Sequence, residues 1–216
     1  KKGGEIVVRA WGPNTAWAEK ENNDTITNLK QVSTLAVNGA TVKANKLTVE
    51  GKEAKELNYS ESAAFTAKNS KVELGSATLN SAKFYAENSQ ISIGDLHADN
   101  NSQFLANNGT KAEIQKMTMD NGSRLDVGSY DDDDMVVKEA ADVTVHQLDL
   151  KGNSTITIEN GKLNSDQITM DKSTIDIEGV GTLIANKMTL NNTTLSLRGI
   201  QNEEATLALD ADEDIQ

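Results

Sequence analysis

The sequence predicts an all-β fold, a parallel β-helix (β-solenoid) with coils of about 19–21 residues. Three observations carry that prediction. First, two apolar-x-apolar steps joined by a short polar corner recur down the chain. The clearest copies are Leu163–Ile177 (LNSDQITMDKSTIDI), Leu183–Leu197 (LIANKMTLNNTTLSL) and Leu79–Ile93 (LNSAKFYAENSQISI), which align without a gap. Second, apolar and polar residues alternate with period two, the strand signal, while helical periodicity is nearly absent. Third, only 37% of the residues are hydrophobic and 4% aromatic, too lean for a thick globular core but enough for a thin stack. A unit this short cannot bury its apolar face alone, so each copy must be one coil resting on its neighbours.

Taken from the N-terminus, residues 1–24 carry Trp11, Trp17 and the sole proline, Pro13, and lack the repeat; they are expected to form a cap or a linker. Residues 25–209 form the repeat domain. Its polar corners fall at Ser33, Ser70, Ser89, Ser102, Ser123, Ser154, Ser173 and Thr193, at intervals of 37, 19, 13, 21, 31, 19 and 20 residues. Most intervals are one coil and 37 is close to two. The interval of 31 is a coil with an insertion, and 13 reads as a coil that has lost a side.

Stacking the corners gives four apolar columns. Before the corner stand Leu47, Phe65, Phe84, Leu96, Met117, Leu148, Ile168 and Met188, then Val49, Ala67, Ala86, Ala98, Met119, Leu150, Met170 and Leu190. After it stand Leu35, Val72, Ile91, Phe104, Leu125, Ile156, Ile175 and Leu195, then Val37, Leu74, Ile93, Ala106, Val127, Ile158, Ile177 and Leu197. A weaker fifth column, Val42, Leu79, Val143, Leu163 and Leu183, predicts a third short side. About nine to ten coils at roughly 4.8 Å spacing make a rod on the order of 45 Å long.

The corners have their own chemistry. Asn69, Asn88, Asn101, Asn153 and Asn192 precede the Ser or Thr, with Gly122 or Lys172 in other coils. Asn and Gly tolerate a left-handed backbone, and a hydroxyl can bond the turn backbone. Stacked Asn side chains are also suited to amide ladders. Gly75, Gly94, Gly128 and Gly179 punctuate the next corner. An insertion near residues 129–139 holds the run Asp131–Asp134 and is expected to leave the rod as a solvated loop. Four adjacent carboxylates suit calcium chemically, yet they lack the alternating spacing of an EF-hand, and no calcium-binding repeat occurs. Leu207 and Leu209 continue the phase of Met188 and Leu190, after which residues 210–216 run out as an acidic tail or the start of a continuing coil. That continuation, and a first residue that is Lys1, lead us to expect a piece of something longer.

Composition excludes several classes. A net charge of −12 disfavours binding to a nucleic-acid backbone or an anionic membrane. No apolar run reaches the 18 or so residues of a membrane span, and no signal peptide is visible. The absence of cysteine removes disulfides and thiolate metal sites.

Candidate chemistry is sparse. His97 sits between Leu96 and Ala98 and points outward; His146 sits in a corner before Leu148; neither has a metal-ligating partner at sequence spacing, so both read as surface histidines. Glu73, Asp126 and Asp176 fall in one outward column with Ser92, Thr157 and Ser196 between them, a set to weigh as paired carboxylates of a glycoside-cleaving site. Thr48, Thr66, Thr118, Thr169 and Thr189 form an outward threonine column broken by Tyr85, His97 and Asp149, and strand propensity accounts for it. No catalytic, cofactor-binding or metal residue is assigned.

The degenerate repeat of about 20 residues, the Asn-Ser corners, the lack of cysteine and the Thr/Asn/Asp/Gly-rich surface resemble the passenger domains of type V autotransporters and related large bacterial surface adhesins, over about residues 25–209. The resemblance implies display on the outer membrane of a Gram-negative cell and a non-enzymatic role in adhesion or biofilm formation. Its implied partners are a host or bacterial surface protein, a glycan, or another copy of the chain. It carries over no active-site motif. The alternative is a carbohydrate-active β-helix, such as a polysaccharide lyase, hydrolase or tailspike, working through outward carboxylates.

Overall fold

A computed structural model describes residues 4–9, 31–53, 60–128, 139–199 and 204–209 of the chain, with the backbone alone at 31–33, 52–53 and 60–62. Trp11, Pro13, Trp17, Asp131–Asp134 and the 210–216 tail lie outside the described residues.

The strands in chain order are β1 (Glu5–Arg9), β2 (Gln31–Asn38), β3 (Thr41–Glu50), β4 (Lys52–Glu53), β5 (Ser60–Lys68) and β6 (Lys71–Asn80). They continue with β7 (Ala82–Glu87), β8 (Gln90–Asp99), β9 (Gln103–Asn107), β10 (Lys111–Met119), β11 (Arg124–Val127) and β12 (Ala141–Leu150). The last are β13 (Thr155–Ile158), β14 (Gly161–Asp171), β15 (Thr174–Glu178), β16 (Thr182–Asn191), β17 (Thr194–Arg198) and β18 (Thr206–Leu209). Among the described residues no helix occurs.

Two sheets result. One, called the longer sheet because its strands are mostly the longer ones, runs β1-β3-β6-β8-β10-β12-β14-β16-β18; the other, the shorter sheet, runs β17-β15-β13-β11-β9-β7-β5-β2, with the short β4 paired antiparallel to β5. Every other pairing is parallel, as in β12 on β14 and β13 on β15. Apart from β4, chain order thus alternates between the sheets, one strand of each per coil. The fold is the parallel β-helix that the sequence predicts.

The third side exists, and its cause is local. The strands of the longer sheet point residues alternately in and out, except at mid-strand, where two successive side chains face outward. Asn45–Lys46, Gln115–Lys116, Asp166–Gln167 and Asn186–Lys187 are all exposed there, between buried neighbours. Two outward residues in a row require the strand to bend, so each long strand supplies two walls and the other sheet supplies the third. Each coil therefore contributes three apolar-x-apolar steps, for example Val143/Val145, Leu148/Leu150 and Ile156/Ile158, all buried. Gly75 and Gly94 stack at this bend. A Cβ on Gly94 would lie 2.4 Å from the Gly75 carbonyl oxygen, so the close approach of successive backbones requires glycine there.

The N-terminal columns need correction. Phe65 and Phe84 do not stack with Leu47 and Leu96. They pair with Leu35 and Phe104 in the other sheet, where the ring centroids of Phe65–Phe84 and Phe84–Phe104 are 4.9 and 5.0 Å apart. Ala67 and Ala86 follow them, stacking with Val37 and Ala106 rather than with Val49 and Ala98. Val72 and Ile91 stack on Val42 and Ala112, and Leu74 and Ile93 on Ala44 and Ile114. Leu79 belongs with Val49 and Ala98, so the copy Leu79–Ile93 is displaced by one wall relative to the two C-terminal copies. Leu207 and Leu209 stack on Leu183 and Ala185, not on Met188 and Leu190. The apolar step also extends upstream of residue 25, where Ile6 and Val8 of β1 pair with Leu47 and Val49.

The physical reason is that a coil has two polar corners of the same chemistry. Ser70 and Ser89 follow shorter-sheet strands, whereas Ser102, Ser123, Ser154, Ser173 and Thr193 follow longer-sheet strands. The 13 residues from Ser89 to Ser102 are one long strand and its turn, not a coil that lost a side. Gly75 and Gly94 mark the bend, while Gly128 and Gly179 follow shorter-sheet strands. Ser33 lies within β2, paired with Ala63.

The corner chemistry itself holds at both kinds of corner. Asn69, Asn88, Asn101, Asn153 and Asn192 have φ between 44° and 64°, and Lys172 has φ 49°. The hydroxyls of Ser70, Ser89, Ser123, Ser154 and Thr110 donate to the carbonyl oxygens of Lys68, Glu87, Asp120, Lys151 and Asn107 at 2.6–2.8 Å. Several also accept from the preceding coil, as when Ser70 N donates to Ser89 Oγ at 3.1 Å. An amide ladder forms too: Asn88 Nδ2 donates to Asn69 Oδ1 at 2.7 Å, and Asn69 Nδ2 to Asn38 Oδ1 at 3.3 Å. Lys172 holds a left-handed conformation that asparagine accepts more readily. Lys172→Asn is therefore expected to raise stability by about 0.5–1 kcal/mol, read as a higher urea midpoint.

Candidate functional site

Outward side chains stack in columns just as the inward ones do, so residues about one coil apart in sequence become lateral neighbours. The first wall of the longer sheet carries a shallow depression of about 430 Å³, lined by polar groups that include Lys71, Gln90, Lys111, Glu113, Asp142 and His146. At one side of it, Glu73 lies 2.7 Å from Lys43 Nζ and 2.9 Å from Lys71 Nζ. Hydrogen bonds from Lys43 and Lys71 hold the Glu73 carboxyl below the usual glutamate range.

At the bend beside the depression stands His146. Its Nδ1 is 2.6 Å from Asp166 Oδ2 and its Nε2 is 3.6 Å from Glu113. Asn186 Nδ2 donates to the other Asp166 oxygen at 3.3 Å. Glu113, His146, Asp166 and Asn186 come from four consecutive coils and make a polar chain along the rod. The hydrogen bond to Asp166, helped by Glu113, raises the His146 pKa above its ordinary value. A raised histidine pKa means that the pairs stabilise the fold fully below about pH 6.5, and that this is lost as pH rises through the folded-state value. His146→Gln is thus expected to be destabilising at pH 5.5 and near neutral well above the histidine pKa. The difference should stay under about 1 kcal/mol because the pairs are exposed. Thermal melts of both proteins across that range test it.

The sequence placed His146 in a corner, and the bend is that corner, but it assigned no partner. Asp166 and Asn186 lie at successive offsets of 20 residues, each directly after an inward step, and only the bend register exposes that alignment. His97 is exposed and outward, between Thr78 and Thr118.

The carboxylate column divides. Glu73 lies on the longer sheet, beside Ser92. Asp126 and Asp176 lie on the shorter one, with Thr157 between them, two coils and so about 9–10 Å apart along the stack. Both are engaged. Gln103 Nε2 donates to Asp126 at 2.5 Å and Arg124 at 3.1 Å, while Arg198 bonds Asp176 and lies 2.6 Å from Glu178. Burial pushes the Asp176 carboxyl up, but hydrogen bonds from Arg198 and Ser196 outweigh it and leave the pKa lowered. A glycosidase general acid needs the opposite shift.

The threonine column is also re-sorted. Thr48, Thr78, Thr118, Thr169 and Thr189 share one column with His97 and Asp149, whereas Thr66 and Tyr85 belong to the other sheet. Among the described residues, no group of three or more His, Cys, Asp or Glu is placed to hold a metal ion, and no helix is long and apolar enough to cross a membrane. In comparisons with protein-family models, curated proteins and solved structures, nothing matches this chain.

Proposed function

We propose that this chain is a non-enzymatic adhesive or structural rod displayed on a bacterial surface, of the autotransporter-passenger kind that its repeat resembles. The observation that carries the reading is the outward surface. Coil after coil of unbroken parallel stacking presents laddered polar and charged side chains over an open depression. The outward carboxylates of the shorter sheet weighed for a glycoside-cleaving site, Asp126 and Asp176, are bound up with Arg124 and Arg198. Such a surface is suited to multivalent, shallow contact with a glycan or a surface protein.

A second reading, a carbohydrate-active β-helix, draws on the depression, where Glu113, Asp142 and His146 face an open groove. One experiment separates the two. The chain is probed on a glycan array and against bacterial and host cells, and the same glycans are assayed for cleavage. The adhesive reading expects retention weakened by Lys111→Glu with the ligand recovered intact. Cleavage that disappears in Asp142→Asn or His146→Gln would overturn it.

A further inference from the structure

The outermost column of the first wall alternates with a period of two coils. Lys71, Gln90, Lys111, Asp142 and Lys162 are exposed lateral neighbours on five successive coils. A lysine therefore returns on every second coil, at roughly 9–10 Å along the rod. The next outward position follows the same beat. Short hydroxyl side chains, Ser92 and Thr144, stand on the two coils that lack a lysine, and the longer Glu73 and Glu113 on coils that have one. Ser92 and Thr144 give the depression its room. The strip is also locally cationic. Lys43 and Lys71 share the single carboxylate of Glu73, which leaves one positive charge over. Glu113 faces His146 across 3.6 Å. Among the described residues, Lys111 and Lys162 have no ion-pair partner. The chain carries −12 overall, but exposed charges beyond about 8 Å are largely screened at physiological salt, so the strip itself decides what it attracts.

We propose that this strip binds a linear acidic polysaccharide with one carboxylate per disaccharide, an alternating uronic acid and neutral hexosamine, laid along the rod. The match is one of length. A hexose of an extended glycan is about as long as one coil is thick, so a disaccharide spans two coils. Successive uronate carboxylates then fall at Lys71, Lys111 and Lys162. The neutral sugars between them fall at Gln90 with Ser92 and at Asp142 with Thr144, whose amide, hydroxyl and carboxylate groups pair with sugar hydroxyls. A glycan with a carboxylate on every sugar sets one of its charges against Asp142, and a neutral glycan leaves the lysines unused. Each exposed ion pair is weak alone. Three on one ligand act together, because each bound repeat holds the next at high effective concentration. The inference rests on the adhesive reading and names the ligand of its depression.

Calorimetric titration of the 216-residue chain with hyaluronan oligosaccharides reads the binding. Affinity is expected to climb from the tetrasaccharide to the hexasaccharide, which carries a carboxylate for each lysine, and to change little beyond it. Lys111→Gln and Lys162→Gln should each weaken binding about two- to fivefold, the range of an exposed ion pair. Lys83→Gln, exposed on the shorter sheet, should leave it unchanged. The double change Gln90→Lys/Lys111→Gln keeps the net charge and moves one cation by one coil. It should bind hyaluronan as weakly as Lys111→Gln does, with the β circular dichroism signal intact. Binding by that variant at wild-type strength would mean general attraction to polyanions and overturns the proposal. So does equal or tighter binding of the unmodified chain to polygalacturonate, which has a carboxylate on every sugar, or to neutral dextran. Failure to bind hyaluronan, with retention on another glycan or on cells, overturns the proposal and leaves the adhesive reading standing. Cleavage of the bound oligosaccharide supports the ligand and overturns the adhesive reading.

Discussion

Replacing Ile175 with Asp is expected to lower stability by about 3–5 kcal/mol, because it places an unpaired carboxylate in a dry column. Ile175 is fully buried, with Ile156 on one coil and Leu195 on the next as its lateral neighbours. Water cannot reach the new charge, and no cationic side chain shares the column. The adjacent change, Asp176→Ser, is the control. Asp176 faces out and pairs with the exposed Arg198, so its loss should cost no more than about 1 kcal/mol. Urea denaturation of the two variants gives the ranking. The reverse order would mean that the strand is out of register by one residue, since such a slip exchanges every inward side chain for an outward one. Contacts in a solenoid run only between neighbouring coils, so Ile175→Asp should also melt the C-terminal coils before the rest.

Truncating Phe84 to Ala is expected to cost about 3–5 kcal/mol through lost transfer free energy and the cavity left behind. The site has little freedom to collapse, because Phe65 and Phe104 hold the ring from both sides within a backbone fixed by two parallel strands. Phe84→Leu should be much milder, as leucine already fills this column at Leu35 and Leu125. A double-mutant cycle with Phe104→Ala adds a test of register. Rings in contact should couple by about 0.5–1.5 kcal/mol. Strict additivity would place the two rings in different columns, as the sequence pattern alone had them.

Much of the inward face was legible in the residues themselves. From Met117 to Leu197 each predicted column is the observed one, because the Asn/Gly/Lys-Ser/Thr corners there all end strands of the longer sheet; Leu207 and Leu209 beyond it fall one wall earlier than predicted. Before Met117 the pattern misled, since Asn69–Ser70 and Asn88–Ser89 have the same backbone geometry and hydroxyl bonding at the opposite corner. Corner chemistry reports that the chain turns, not which wall it has just left. The outward face was far less legible. Glu73 was joined to Asp126 and Asp176 through the same one-wall error, and His146 was left without Asp166 because the bend had no place in the alignment.

Sequence by itself determined that the chain is a parallel β-helix, how long its coils are, and which residues turn its corners. Those properties depend on local periodicity and on the left-handed tolerance of Asn and Gly, which each segment carries within itself. Only the tertiary structure decided which coil position meets which, and with it the phenylalanine stack and the Glu113–His146–Asp166 chain. Those depend on lateral backbone pairing between positions 19 to 41 residues apart. One extra residue at a bend shifts such a pairing while leaving the period-two pattern on either side unchanged.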